Sequence, residues 1–320
     1  MKASTKAWII IATVSILIGI IIFGVVMAIL KWDFSKLSTG KYQTNTHTVT
    51  DEFNNIKIES DTANVYILPS EDGNCSVVCY ERAKQIHSVN VNDGTLTVSV
   101  NDTRNWYEHI GINFGAPKIT LYLPFDEYAD LYVKTDTGST YLPSDFTFSS
   151  VHAVTNTGKI NCKSNVTGDV DLKASTGEIN VESMSSASLK IKVSTGNVNV
   201  TDTIVSGDIS ISVSTGETEL ENVRCTNISS DGNTGDISLE SVIADNKITV
   251  ERTTGDVEFD GCDASEISVR TDTGSVTGTL LTEKVFIAKT DTGRVNVPHT
   301  SSGGRCEITT DTGNIRIEIK

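Results

Sequence analysis

An all-β fold, a parallel β-solenoid of the single-stranded β-helix type, is predicted for this 320-residue chain by three observations. Thr-Gly recurs at Gly138, Gly158, Gly177, Gly196, Gly216, Gly235, Gly255, Gly274, Gly293 and Gly313, always 19 or 20 residues after the last. Around those glycines apolar and polar residues alternate with period two, the repeat of a strand, so a strand period sits inside a coil period. Proline is confined to the flanks, at Pro69, Pro117, Pro124, Pro143 and Pro298. The stretch between therefore keeps every N–H that a central strand must donate.

Taken in chain order, the first element is a membrane anchor, residues 1–32 with a short cytoplasmic tail. From Ala7 to Leu30 the side chains are apolar or small except for Thr13 and Ser15, whose hydroxyls can bond back to a helix backbone. That run spans about 36 Å as a helix, enough to cross a bilayer with some tilt. Trp8 and Trp32 flank it, where amphipathic rings belong. Val26-Met27-Ala28 resembles a signal-peptidase site, but the apolar run exceeds an ordinary signal-peptide core, so an uncleaved single span is expected. Lys2 and Lys6 oppose Lys31 and Lys36, and charge alone barely orients the span. The large acidic β region that follows is expected outside the cytoplasm, in a single-pass protein of the cell membrane.

Residues 33–50 are polar and aperiodic and read as a linker. Residues 51–135 read as a β-rich cap, with strand candidates NIKIES, NVYILP, CSVVCYER, SVNVN, TLTVSV and KITLYLP. Asn92-Asp93-Gly94 between Val-rich alternations is a hairpin signal. A solenoid needs such a cap because its first coil would otherwise bare unpaired backbone groups. At the far end, Arg316, Glu318 and Lys320 alternate with apolar residues and are expected to charge the last edge strand.

Residues 136–320 form the coils. Two and four places after the glycines stand Ile160 and Cys162, Ile179 and Val181, Val198 and Val200, Ile237 and Leu239, Val257 and Phe259, Val295 and Val297, Ile315 and Ile317. Seven and five places before stand Val170 and Leu172, Leu189 and Ile191, Ile209 and Ile211, Ile248 and Val250, Ile267 and Val269. A third apolar column is expected twelve places before, at Phe146, Met184, Ile204, Val223, Ile243, Cys262 and Leu281. The glycines are structural: a sharp corner demands positive φ, and Asp, Asn or Ser two places earlier can accept a nearby backbone N–H.

Asp-Thr-Gly-Ser at 136–139 and 272–275 also matches the catalytic loop of pepsin-like aspartic proteases, whose two carboxylates share a proton. The period excludes that reading. Asp136, Asp272, Asp291 and Asp311 are four spellings of a corner elsewhere written with Asn, Ser or Thr, and a catalytic carboxylate tolerates no such exchange.

Composition narrows function further. A net charge of −15 repels phosphate backbones and argues against nucleic acid as partner. The cysteines are 75, 79, 162, 225, 262 and 306. Cys75 and Cys79 in one strand would lie about 13 Å apart, beyond disulfide reach. With no Cys-x-x-Cys or Cys/His ligand spacing and histidines scattered at 47, 87, 109, 152 and 299, zinc has little support and buried free thiols are expected.

The stretches FNNIKIESDTANVYILPSEDG, VNDGTLTV, KITLYLP and LYVKTDTGSTYLP, followed by TGxI coils, resemble a bacterial putative-adhesin family, a domain of unknown function with β-strand repeats. Some of its members are LiaG-like cell-envelope proteins. The resemblance covers about residues 50–320 and implies an anchored envelope protein with no assigned active site or cofactor.

Outward positions nominate one candidate site. Glu217, Glu219, Glu221, Asp236, Glu240, Asp256, Glu258 and Asp260 fall on one face of three successive coils, and stacked carboxylates suit weak Ca2+ binding or a basic ligand. A solvated acidic surface reads the same way. Four places before the glycines, Lys134, Lys173, Lys192, Arg270 and Lys289 read as ordinary surface. Otherwise no cofactor is expected. Function then divides between two classes: a non-catalytic rod presenting a surface for adhesion, scaffolding or envelope stress signalling to a cell-wall polymer or another envelope protein, and a polysaccharide-active β-helix enzyme. Coils held at 19 or 20 residues leave little length for the loops that build a catalytic groove, which favours the first.

Overall fold

The computed structural model describes residues 3–33, 41–106 and 115–320. Lys2, part of the expected linker (34–40) and His109 lie outside these residues. The apolar run forms α1, Ala3–Ile29, and Thr13 Oγ1 donates to the Ile9 carbonyl at 2.9 Å, so the hydroxyl is satisfied within the helix. Thr5–Ile29 is long and apolar enough to cross a membrane.

After α1 the described residues are mostly strands joined by turns and short irregular stretches. The N-terminal third comprises β1 (Tyr42–Val49), β2 (Asn55–Ser60), β3 (Asn64–Pro69), β4 (Cys75–Arg82), β5 (Gln85–Asn92), β6 (Thr95–Asp102), β7 (Lys118–Leu123), β8 (Glu127–Thr137) and β9 (Thr140–Leu142). β2 and β3 are already a coil: Ile56 lies opposite Leu131 and Val65 opposite Thr140, both in parallel register. Residues 55–69, expected within the cap, thus belong to the solenoid, with Ala63 at the corner that glycine takes above. β6 and β7 form a further parallel rung on its other side, Ile58 opposite Val98 and Ile67 opposite Leu121.

Only beyond that rung does direction reverse, with β5 antiparallel on β6, β4 on β7 and β1 on β4. The cap proper is therefore β1, β4 and β5. β1 corrects the reading of residues 33–50 as linker: Asn45, His47 and Val49 turn toward β4, but two of the three are polar, so no apolar alternation betrays the strand. The expected hairpin is present, Asn92 opposite Thr95, with Asp93 and Gly94 at φ 48° and 69°.

Each later coil has three sides. In one of them these are the short strand Ile179–Glu182, the two residues Ser185–Ser186 and the long strand Ser188–Thr195. The ten corner glycines hold φ between 129° and 157°. They are also pressed together: a Cβ on Gly196 would lie 1.7 Å from the Gly177 carbonyl oxygen. Six residues on, a second corner puts Ser183, Asp202, Asn222 and Ser241 at φ 50–54°. Ser is a costlier occupant of that conformation than Asp or Asn, whose short side chains bond locally.

The columns at +2, +4, −7 and −5 point inward over most of the rod. The third column is corrected in part. Phe146, Met184, Val223 and Cys262 are buried, but Ile204 is 59% and Leu281 44% exposed, and Ile243 is half-buried, while Thr203, Val242 and Leu280 are buried instead. In the middle coils the inward residue is constant when counted forward, seven places after the preceding glycine. The extra residue of a 20-residue coil lies beyond that point, so counting backward slips by one and flips the face. A further inward position, three before the glycine, is polar toward the two ends and apolar at Ala174, Val193 and Val213 in the middle: Thr135, Thr155, Thr271 and Thr310 are buried, and Thr155 Oγ1 donates to the Gly138 carbonyl at 3.0 Å.

At the C-terminal end the last coil is not the last rung. Gly304–Thr312 pairs on one side with residues 266–273 and on the other with Lys284–Thr292. Ile315–Ile319 likewise lies between Val276–Leu280 and Val295–Asn296. The strand bearing Arg316 and Glu318 is thus internal, contrary to the expected charged edge, and Val295 on the true outer rung is 44% exposed.

Candidate functional site

The corner aspartates do not converge. Asp136 Oδ1 accepts from Asn156 Nδ2 at 3.0 Å, Asp272 stands 3.6 Å from Arg270 Nη2, and Asp291 3.1 Å from Lys289 Nζ. Asp136 and Asp272 are seven rungs apart along the glycine file, about 34 Å at strand spacing, so they cannot share a proton. The corner is satisfied by another residue than expected. The side chain just after the corner accepts from the same position of the adjoining coil: Asn64 Oδ1 from Ser139 N, Asn197 Oδ1 from Glu217 N, Asp236 Oδ1 from Asp256 N and Asp256 Oδ1 from Ser275 N, at 2.7–3.1 Å.

That geometry divides the acidic candidates. Glu219, Ser238 and Glu258 stand in register on successive short strands, as do Glu221, Glu240 and Asp260. Asp236 and Asp256 are engaged by corner N–H groups. Asp260 accepts from Lys320 Nζ and Thr279 Oγ1, both at 3.1 Å, and the lysine holds its carboxyl below the usual range. Glu217, Glu219, Glu221, Glu240 and Glu258 have no side-chain partner among the described residues and are exposed.

The acidic patch is part of a longer row that sequence reading missed, which continues past Glu258 through Thr277 to Arg316. Three places after successive corners, Tyr66, Tyr141, Asn161, Asn180, Asn199, Glu219, Ser238 and Glu258 face outward in unbroken parallel register. Tyr66 and Tyr141 stack with centroids 4.6 Å apart and planes within 5°. Asn180 donates to Asn161 at 3.0 Å and Asn199 to Asn180 at 2.8 Å, an amide ladder. Beside it Lys159 Nζ donates to Glu178 at 2.7 Å, which lowers the Glu178 pKa. Between Tyr66 and Glu258 the face thus grades from aromatic through amide to acid. Tabulating the third residue after each Thr-Gly would have exposed it. On the long-strand side Lys134, Lys173 and Lys192 align with Val154 among them, and Lys173 is paired with Asp171 at 2.7 Å.

Inside the rod, Arg252 is a buried cation whose guanidinium donates to Ser230 Oγ at 3.0 Å and to the Glu251 carbonyl at 3.0 Å, filling space that Gly232 leaves. Desolvation lowers its pKa. All six cysteines are free and buried, and burial pushes the thiols of Cys162 and Cys306 up to about 12. They are poor nucleophiles.

These features define a class: a parallel β-solenoid of about ten turns behind an apolar N-terminal helix. The chain belongs to the Toastrack family, DUF4097, whose model matches residues 53–211 and 204–320. No curated protein matches it. Solved structures similar to it include a "putative adhesin" from Bacteroides fragilis, 16% identical, with 87% of this chain and 97% of that one covered and a TM-score of 0.42. A second from Parabacteroides distasonis is 12% identical over 87% and 98%, with a TM-score of 0.47. A "putative lipid binding protein" from the same species is 16% identical over 74% and 97%, with a TM-score of 0.39.

Proposed function

We propose that the protein is a non-catalytic, single-pass envelope protein whose rod stands outside the cytoplasm and presents the graded short-strand face to a cell-wall polymer or another envelope protein, for adhesion, scaffolding or stress signalling. The observation that carries this is the unbroken row from Tyr66 to Glu258, an extended surface with repeating spacing and no cleft. Repeat architectures use such surfaces for binding. Support against the polysaccharide-active alternative comes from a groove of about 950 Å3 at the N-terminal end. It is lined by Phe53, Phe125 and Tyr128 with Asp51, Glu52, Asp126 and Glu127, and although paired carboxylates can act as acid and base, among the described residues no arginine, lysine or histidine lines it to join them as the cationic group of a lyase-type site.

The test is site-specific photocrosslinking in intact cells, with the probe at Asn180 or Glu219 on the row and at Lys192 on the long-strand face. Adducts from the row alone support the proposal. Adducts indifferent to position, or soluble products released from purified cell-wall polymer by the full chain in detergent, overturn it.

A further inference from the structure

The cap contains a polar cluster that the binding face does not use. β4 carries Cys79 and Glu81 two residues apart on its inward side, and the turn into β5 brings His87 over them. All three are buried, with relative exposures of 0%, 1% and 4%. One ligand-capable atom of each lies within 4.8 Å of the others. Glu81 Oε2 accepts from the His87 ring Nδ1 and from the His87 backbone N–H, each at 2.6 Å, and Glu81 Oε1 accepts from Asn45 Nδ2 at 2.6 Å. His87 Nε2 lies 3.0 Å from Ser60 Oγ.

Ser60, His87 and Glu81 are thereby aligned like a hydrolase nucleophile, base and orienting acid. Ser60 is only 6% exposed and points into the coil, which closes it to a substrate. A metal ion needs no such approach, because it can be taken up as the cap folds.

We propose that Cys79, Glu81 and His87 bind a zinc-class divalent ion that ties the cap strands β4 and β5 together. Thiolate, carboxylate and imidazole together suit Zn2+ and its neighbours, whereas Ca2+ and Mg2+ take oxygen ligands alone. The surroundings have the form that ligand support takes: the histidine's far nitrogen faces a hydroxyl acceptor and the carboxylate is held by an amide. On binding, the Cys79 thiol proton leaves to solvent. The ring proton of neutral His87 moves from Nδ1 to Nε2, where Ser60 Oγ accepts it and Nδ1 is free to ligate. Three protein ligands leave one tetrahedral position to a water molecule.

The test is Co2+ titration of the full chain in detergent micelles. We expect a thiolate-to-cobalt charge-transfer band saturating at one equivalent, bleached by Zn2+, retained in Cys75→Ser and absent in Cys79→Ser. His87→Gln should weaken cobalt binding by at least about ten-fold, and Asn45→Ala by about ten-fold, with the strand signal of both variants intact. No band at millimolar Co2+ in folded protein overturns the proposal, as does a band that survives in Cys79→Ser. Should Cys79→Ser fail to fold, wild-type affinity in His87→Gln overturns it equally.

Discussion

The middle coils and the two ends of the rod are made of the same rung but stacked by different rules. From the Gly158 coil to the Gly274 coil each pairs with the one before it in the chain. At the N-terminal end the β6–β7 rung, later in sequence, lies outside the β2–β3 rung. At the other end the final coil slips inside the one preceding it. The N-terminal end is then closed by antiparallel strands, whereas the other is left with Val285 and Ile287 facing outward opposite Arg305 and Glu307. The difference teaches that a coil motif specifies the shape of a rung and not its neighbour. Neighbour choice is decided by long-range pairing, and it departs from chain order only where a rung has a free side.

The sharpest way to break that comparison is at the corner file. Gly196 is enclosed, with the Gly177 carbonyl against it and φ at 135°, whereas Gly73 in the β3–β4 turn has φ at 73° and open space where a Cβ would go. Gly196→Val is expected to abolish folding or lower stability by more than about 4 kcal/mol, and Gly73→Ala by about 1 kcal/mol. Denaturant unfolding of the full chain in detergent, followed by the strand circular dichroism signal, measures both. A wild-type midpoint for Gly196→Val would mean that the glycines do not stack.

The file, the period and the inward columns at +2, +4, −7 and −5 were legible because each is a local rule repeated ten times, and repetition separates it from noise. Rung order at the ends was not, since Gly304–Ile319 carries the same motif whether it stacks inside or outside its predecessor. β1 escaped because Asn45 and His47 occupy its inward positions. The Cys79, Glu81 and His87 cluster escaped for a different reason: β4 and β5 assemble it across a hairpin, with a spacing that matches no familiar ligand pattern. Of the acidic site, the register was legible, but the corner bonds that engage Asp236 and Asp256 were not.

The slip in the third column gives the next test, within the middle coils alone. Val223 and Ile204 stand at the same distance before their glycines, yet Val223 is buried and Ile204 is 59% exposed. Val223→Ser should cost about 3 kcal/mol, from lost burial and a hydroxyl without a partner, and Ile204→Ser less than about 0.5 kcal/mol. Equal losses would show that counting backward from the glycine is right and that the forward register is wrong.

Ion pairs sharpen the contrast between end and middle. Near the C-terminal end Lys284 is 3% exposed and reaches Asp263 Oδ1 at 2.5 Å, while in the middle Lys163 and Glu182 meet at 2.6 Å with about half of each side chain in solvent. Removing one partner of a buried pair strands the other. Asp263 keeps bonds from Ala264 N and Thr282 Oγ1 and some solvent, which moderates the loss. Lys284→Met is therefore expected to cost about 2 kcal/mol and Lys163→Met less than about 0.5 kcal/mol, read from the same unfolding curves.

The smallest effect concerns the amide ladder, which exists only where chain order and stacking order agree. Asn180 is bonded on both sides, to Asn161 below and Asn199 above, so Asn180→Ala removes two neutral side-chain bonds at half-buried positions. Water replaces part of what is lost, and a loss of about 1 kcal/mol is expected. On the outer rung Ile287 has no partner strand on its far side, and Ile287→Lys should change stability by less than about 0.5 kcal/mol. If Asn180→Ala proves as silent as Ile287→Lys, the ladder contributes nothing to the rod, and its regular row of amides would then be explained by what it faces outside the protein.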